Sequence, residues 1–223
     1  MTHIQDEIQA ITEELPEGTR LVAVSKYHPS EAIREAYEVG QRVFGESHVQ
    51  ELQQKHAELP EDIEWHFIGH LQTNKVKYLA PYVSLIHAVD SERLLAEINR
   101  QAIKCNRRIR VLLQLHVALE ETKYGLTTDE CWQMLEEGHW RDMAGVEICG
   151  IMCMASNVDD EERIASDFER AHSFFLRARE TFFAHQPSFC ECSWGMSDDY
   201  PIALRHGSTL IRIGSRIFGQ RVY

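Results

Sequence analysis

Residues 108–154 read RIRVLLQLHVALEETKYGLTTDECWQMLEEGHWRDMAGVEICGIMCM. The run RIRVLLQLHV (108–117) is apolar and fit for a buried strand. The spacing then predicts a helix from about Thr128 to Glu137, and GVEICGIMCM (145–154) is a second apolar run. Strand, helix and strand in that order form a unit that builds parallel sheets, because a parallel return needs a crossover.

The same alternation extends in both directions. On the N-terminal side, LVAVS (21–25), RVFG (42–45), IEWHFIG (63–69) and VSLIHAV (83–89) each precede an amphipathic stretch. Those stretches run from about Ser30 to Val39, Ser47 to Leu59, Thr73 to Leu79, and onward from Asp90 or Ser91. On the C-terminal side a long helix is predicted from about Asp160 to Phe183. SFCECS (188–193) then precedes a short helix from about Ser197 to Arg205, and TLIRIG (209–214) comes last. Eight strand candidates, seven of them followed by helices, predict a closed (β/α)8 TIM-like barrel; an open doubly wound sheet is the competing architecture. The sequence ends nine residues after Gly214, too few for a full eighth helix. Ile4, Ile8, Ile11 and Leu15 recur at helical spacing, so an N-terminal helix is expected to cover the gap. No linker or composition shift divides the chain, and residues 1–223 read as a single α/β domain.

Composition narrows the function. The chain carries 23 Lys and Arg against 35 Asp and Glu, a formal charge of −12. A surface of that sign repels phosphate backbones, which argues against nucleic acid as the main partner. It leaves room for one small anion in a locally basic pocket. At 43% hydrophobic and 26% charged, the chain is too apolar for a disordered one. No apolar run approaches the roughly 20 residues of a membrane span. MTHIQDEIQAITEELPEG (1–18) is acidic and lacks the basic region and apolar core of a secretory signal. With no secretory context, Cys105, Cys131, Cys149, Cys153, Cys190 and Cys192 are expected to be reduced thiols of a cytoplasmic protein.

In a βα barrel, sites lie at the C-terminal ends of the strands, and phosphates favour the loops after strands 7 and 8. Lys26 ends the first strand; partial burial there would lower its pKa and free the amine for imine chemistry, the alternative being a solvated loop lysine. In WGMSDDY (194–200), Ser197 is a natural N-cap, with Asp198 and Asp199 in the first turn. The same turn suits a phosphate only if those carboxylates point away. In RIGSRIFG (212–219), Gly214 permits close backbone approach, and its amide and that of Ser215 can face an anion. Arg212 alternates with Ile211 and Ile213 and is expected inside the barrel, where its charge needs a partner; a structural carboxylate is the plain alternative to a ligand. His66 and His70 lie on a strand and loop rather than on the helix of a zinc protease, and no second cysteine pair accompanies Cys190 and Cys192, so no metal site is expected. Cys149, Met152, Cys153 and Met154 read as barrel packing.

Seven segments together carry a resemblance. They are VAVSKYHP (22–29), WHFIGHLQTNK (65–75), IHAVDS (86–91), KYGL (123–126), GIM (150–152), GMSDDY (195–200) and GSTLIRIGSRIFG (207–219). In this order, across essentially the whole chain, the sequence resembles the pyridoxal 5′-phosphate homeostasis protein family. The resemblance implies a fold-type III barrel related to the N-terminal domain of alanine racemase, and pyridoxal 5′-phosphate (PLP) as cofactor. It implies Lys26 as the Schiff-base lysine, Ser197, Gly214 and Ser215 at the phosphate, and Arg212 at the pyridine nitrogen. There is one departure. Where the family usually reads GENYVQE, this chain has Ser47 and His48 in place of the amide and the aromatic. Cofactor binding is expected to survive that change, with its tuning altered.

The resemblance implies a monomer, and these residues suggest a carrier that buffers PLP, with PLP-dependent apoenzymes as recipients. An arginine at the ring nitrogen leaves that nitrogen unprotonated and a poor electron sink. The alternative is an amino-acid racemase or another weak PLP enzyme, with Tyr27 and His48 as acid–base groups. Gln72, Asn74 and Lys75 either bind a second ligand or partner, or cap and solvate the third helix.

Overall fold

The first strand, β1 (Arg20–Val24), lies beside the last, β8 (Leu210–Ile213), with Arg20 opposite Leu210 and Val22 opposite Arg212. That pairing closes a sheet of eight parallel strands in sequence order. The others are β2 (Val43–Glu46), β3 (Glu64–Phe67), β4 (Leu85–Val89), β5 (Ile109–Leu115), β6 (Val146–Cys153) and β7 (Glu191–Ser193). The structure is a computed structural model and describes residues 1–120 and 122–219. The closed barrel is the architecture expected from the alternation, and the open sheet is excluded.

The helices are set by local signals. α1 (His3–Glu14) opens with a reciprocal capping box, in which Thr2 takes the Gln5 amide and Gln5 takes the Thr2 amide. α2 (Ser30–Glu38) follows β1, and α3 (Val49–Glu58) follows β2, starting two residues later than expected, with His48 at its N-cap. The predicted third crossover helix is broken into a 3-10 turn (Thr73–Lys75) and the single turn α4 (Val76–Leu79). α5 (Glu92–Lys104) is capped by Ser91. α6 (Thr128–Glu137) has a Thr127–Glu130 capping box and ends on Gly138 in the left-handed conformation. The Asp160 carboxylate caps α7 (Glu161–Phe182) by accepting from the Glu162 and Arg163 amides.

After β7 comes α8 (Tyr200–Arg205), and after β8, among the described residues, the single turn α9 (Ser215–Phe218). α1 packs against both α2 and α9 and so takes the place of a full eighth helix. Arg216 pins it there, its Nε donating to Glu7 across 2.7 Å and its Nη1 to the Tyr200 hydroxyl across 2.7 Å.

Two apolar layers result. The larger lies between strands and helices, built from side chains such as Ile33, Leu52, Trp65, Phe168 and Trp194. The smaller fills the barrel, with Val22, Val43, Leu85, Leu112, Cys149, Met152 and Leu210. At the N-terminal end, Glu191 accepts from Arg20 (2.5 Å) and Arg110 (2.9 Å) and closes the floor. Among the described residues, no helix is long and apolar enough to cross a membrane.

Candidate functional site

At the other end, the C-terminal tips of the strands enclose a cavity of about 290 Å³. That is near the lower bound of the roughly 300–1,000 Å³ typical of small-ligand sites. Val24, Lys26 and His28 line it from β1 and its loop, Met152 and Met154 from β6, and Met196, Ser197 and Asp198 from the loop after β7. Arg212 lines it from β8, and Gly214, Ser215 and Gly219 from the segment that follows; Ile68 lies just after β3. All five residues nominated for the cofactor, Lys26, Ser197, Arg212, Gly214 and Ser215, therefore border one space.

Lys26 is the second residue after β1 and is partly buried. The turn that carries it is tied at several points. The His28 amide donates back to the Ser25 carbonyl (3.1 Å), and Tyr27 adopts a left-handed φ of 67°. The Tyr27 amide donates to the Glu51 carboxylate (2.6 Å). From below, the Lys55 ammonium donates to the Ser25 carbonyl (2.8 Å), to Glu46 (2.7 Å) and to Glu51 (2.7 Å). Ser25 also donates its hydroxyl to Glu46 (2.6 Å). Burial pushes the Glu46 carboxyl up to about 7, against the pull of Lys55 and Ser25. The sequence reading missed these anchors. Glu46 ends a strand and Lys55 sits in the last turn of α3, and neither position signals that the two meet.

The loops after β7 and β8 meet through hydroxyls. The Gly214 amide donates to Ser197 Oγ at 3.4 Å, and Ser215 Oγ donates to Ser197 Oγ at 3.1 Å. Ser197 is not the N-cap that its sequence position suggests. α8 starts at Tyr200 with Asp199 at the cap, because the Asp199 carboxylate bends back to the Met196 amide (2.5 Å). This frees the Ser197 hydroxyl to turn toward β8 and removes one of the two carboxylates from the anion question. Asp198 remains exposed at the rim. A Cβ on Gly214 would stand 3.0 Å from the Val24 carbonyl oxygen, so glycine allows β8 to close tightly on β1.

Arg212 points into the barrel, as its alternation predicts, and is only 4% exposed. Among the described residues its partners are not carboxylates. Nη1 donates to the Ser193 carbonyl (2.7 Å) and hydroxyl (2.6 Å), and Nη2 to the Cys153 carbonyl (3.0 Å). Burial draws its pKa down, while Cys153 and Asp199 oppose that shift. A guanidinium whose bonds among the described residues go to neutral oxygens keeps its full charge for whatever occupies the cavity.

The other nominated residues lie outside this lining. The Ser47 hydroxyl is buried without a hydrogen-bond partner among the described residues. His48 Nε2 stands 3.4 Å from the Tyr27 hydroxyl, with the two rings 5.1 Å apart. Gln72 precedes the 3-10 turn without capping it, and Lys75 sits over the Tyr78 ring at 5.8 Å. His70 stacks on Tyr124 at 3.8 Å and pairs with Asp90 at 3.1 Å.

A family model described as the alanine racemase N-terminal domain matches residues 1–222. A pyridoxal phosphate homeostasis protein of Aquifex aeolicus is 35% identical over 227 residues, covering 100% of this chain and 97% of that protein. PipY of Synechococcus elongatus, solved without PLP, superposes with a TM-score of 0.91 at 34% identity, covering 97% of this chain and 100% of PipY. The same protein solved with PLP bound gives a TM-score of 0.88 at the same identity and coverage.

Proposed function

This chain belongs to the alanine racemase N-terminal domain family, and on that premise we propose that it binds PLP at the barrel mouth, holds it reversibly and so buffers the cofactor in the cell. One observation carries the reading. A lysine amine, a cluster of hydroxyl and amide groups, and a buried guanidinium bonded to neutral oxygens all border the same cavity. That set fits PLP group by group. The amine suits an aldehyde, the Ser197–Gly214–Ser215 cluster a phosphate, and the guanidinium a neutral ring nitrogen.

When bound, the cofactor supplies an aldehyde that condenses reversibly with primary amines. Lys26 is the amine that holds it, and the tied turn around Ser25 and Tyr27 fixes where that amine stands. Ser197, Ser215 and the Gly214 amide orient the phosphate end. Arg212 donates to the ring nitrogen and keeps its own proton, so it leaves that nitrogen a weak electron sink. This favours storage over carbanion chemistry and supports a carrier that hands PLP to apoenzymes that use it. Action as a monomer in the cytoplasm belongs to the same reading. Six cysteines without a disulfide suit a reducing compartment.

The test is an absorbance spectrum of the purified chain after incubation with PLP, before and after borohydride, followed by peptide mapping. We expect a yellow band that borohydride bleaches, a phosphopyridoxyl group on the Lys26 peptide, and loss of both in Lys26→Ala. A colourless, unmodified protein would overturn the reading. Rapid turnover of alanine that disappears in Lys26→Ala would replace the carrier with an enzyme.

A further inference from the structure

Behind Arg212 the barrel interior holds a line of polar side chains that the proposed function does not use. Ser193 Oγ accepts a hydrogen bond from Arg212 Nη1 at 2.6 Å and stands 2.9 Å from His87 Nδ1. His87 Nε2 stands 3.0 Å from His66 Nδ1. Ser193, His87 and His66 are all 0% exposed. They come from β7, β4 and β3, so the line crosses the barrel.

The donors and acceptors along this line have a direction. If the Ser193 hydroxyl donates to His87 Nδ1, His87 carries its proton on Nε2 and donates to His66 Nδ1. His66 then carries its proton on Nε2, the one ring nitrogen of the pair that is buried without a partner among the described residues. In the opposite direction His87 would donate to Ser193, which already accepts from Arg212. The serine proton would then have no acceptor in the line, and a second buried group would be unsatisfied. Each buried, unmade hydrogen bond is costly, so the first direction holds. Neither ring can relieve the line by gaining a proton. Burial and the positive charges of Arg20 and Arg110 push His66 down to about 3, and burial, His66, Arg212, Arg20 and Arg110 push His87 well below the usual histidine range.

We propose that Ser193, His87 and His66 are positioning residues for Arg212. They form a one-way chain of hydrogen bonds that keeps the Ser193 oxygen turned to receive the guanidinium, and so aim the remaining N–H groups of Arg212 at the cavity. Three of the five guanidinium N–H groups are committed to Ser193 and Cys153, and the residue lines the cavity. The inference rests on the PLP reading above for the identity of what Arg212 meets, but the direction of the chain can be read without any ligand.

Two experiments test it. In the wild-type chain without ligand, nitrogen-15 NMR of the histidine rings should show His66 and His87 both protonated on Nε2 and bare on Nδ1, unchanged from pH 5 to pH 8. A proton on His87 Nδ1 would overturn the chain. In the second, PLP is titrated into wild type, His87→Leu and His87→Asn. Asparagine offers Oδ1 where His87 offers Nδ1, and leucine offers nothing to Ser193. His87→Leu should weaken PLP binding about tenfold, the scale of one hydrogen bond, and shift the absorbance band. His87→Asn should stay within about threefold of wild type, with the wild-type band. A folded His87→Leu with wild-type affinity and band would overturn the positioning role. Failure of wild type itself to take up PLP would strike the functional reading instead. If His87→Leu does not fold, the NMR measurement and His87→Asn decide alone.

Discussion

Lys55 Nζ lies 2.7 Å from Glu46 Oε1, with the two side chains 6% and 0% exposed, directly under the turn that carries Lys26. An ion pair this deep adds little net stability over an apolar pair, because desolvation offsets the attraction. Losing one partner is another matter. Lys55→Met should cost about 3–5 kcal/mol at pH 8, since it strands a buried carboxylate. The double variant Glu46→Gln with Lys55→Met should recover most of that. Urea unfolding of wild type and the two variants measures it, and equal losses in the single and double variants would show that Lys55 acts by packing alone.

The same carboxylate predicts a pH dependence. Glu46 titrates near 7 in the folded chain and near its ordinary value of 4.5 when unfolded. Between those values the folded state binds more protons than the unfolded one, so stability falls as pH rises through that window. The contribution is fully present below about 4.5 and lost above about 7, a span on the order of 3 kcal/mol. Glu46→Gln cannot titrate. Wild type should therefore lose stability relative to Glu46→Gln between pH 5 and pH 8, and a constant difference over that range would refute the assignment.

Much of this was legible because strands report their inward face every second residue. Arg212 between Ile211 and Ile213 announced a buried charge at the mouth, and the structure puts it there. His66 between Trp65 and Phe67 carried the same signal, and attention to that alternation would have found the interior line. What the sequence did not show depends on distance in the chain. The Asp199 carboxylate turning back to Met196 moved a helix start by three residues, from the expected Ser197 to Tyr200. Lys55 reaching Ser25 spans thirty residues, and no local pattern marks it.

The hydroxyl cluster makes a claim about which part of the ligand is held. If Ser197 and Ser215 meet the phosphate, Ser197→Ala with Ser215→Ala should weaken PLP binding about tenfold or more, because hydrogen bonds to a charged group are worth roughly 1.5–3 kcal/mol each. Pyridoxal, which lacks the phosphate, should bind both proteins equally. Titration with the two compounds separates the cases. Equal losses for both would mean that the serines shape the loop and do not touch the phosphate.

Gly150 tests whether the barrel interior depends on one break in the strand alternation. Cys149 and Met152 both face inward although they are three residues apart, which a regular strand forbids. The β5–β6 register shifts here, from Val111 opposite Ile148 to Leu112 opposite Gly150, so β6 carries an extra residue. Gly150 has φ 154°, and a Cβ there would overlap the Glu191 carbonyl oxygen in β7. Neither obstacle can move cheaply, since Glu191 is paired in the sheet and its side chain holds Arg20 and Arg110. Gly150→Ala should cost more than about 4 kcal/mol or prevent folding. Gly214→Ala is the control. Its φ of −124° suits any residue, and its Cβ would press on Val24 at 3.0 Å. It should fold with a loss of about 1 kcal/mol and show its main effect in weaker PLP binding. Thermal unfolding of both proteins decides it. A stable Gly150→Ala would mean that β6 can regain regular alternation, and that Met152 can leave the cavity wall without loss of the barrel.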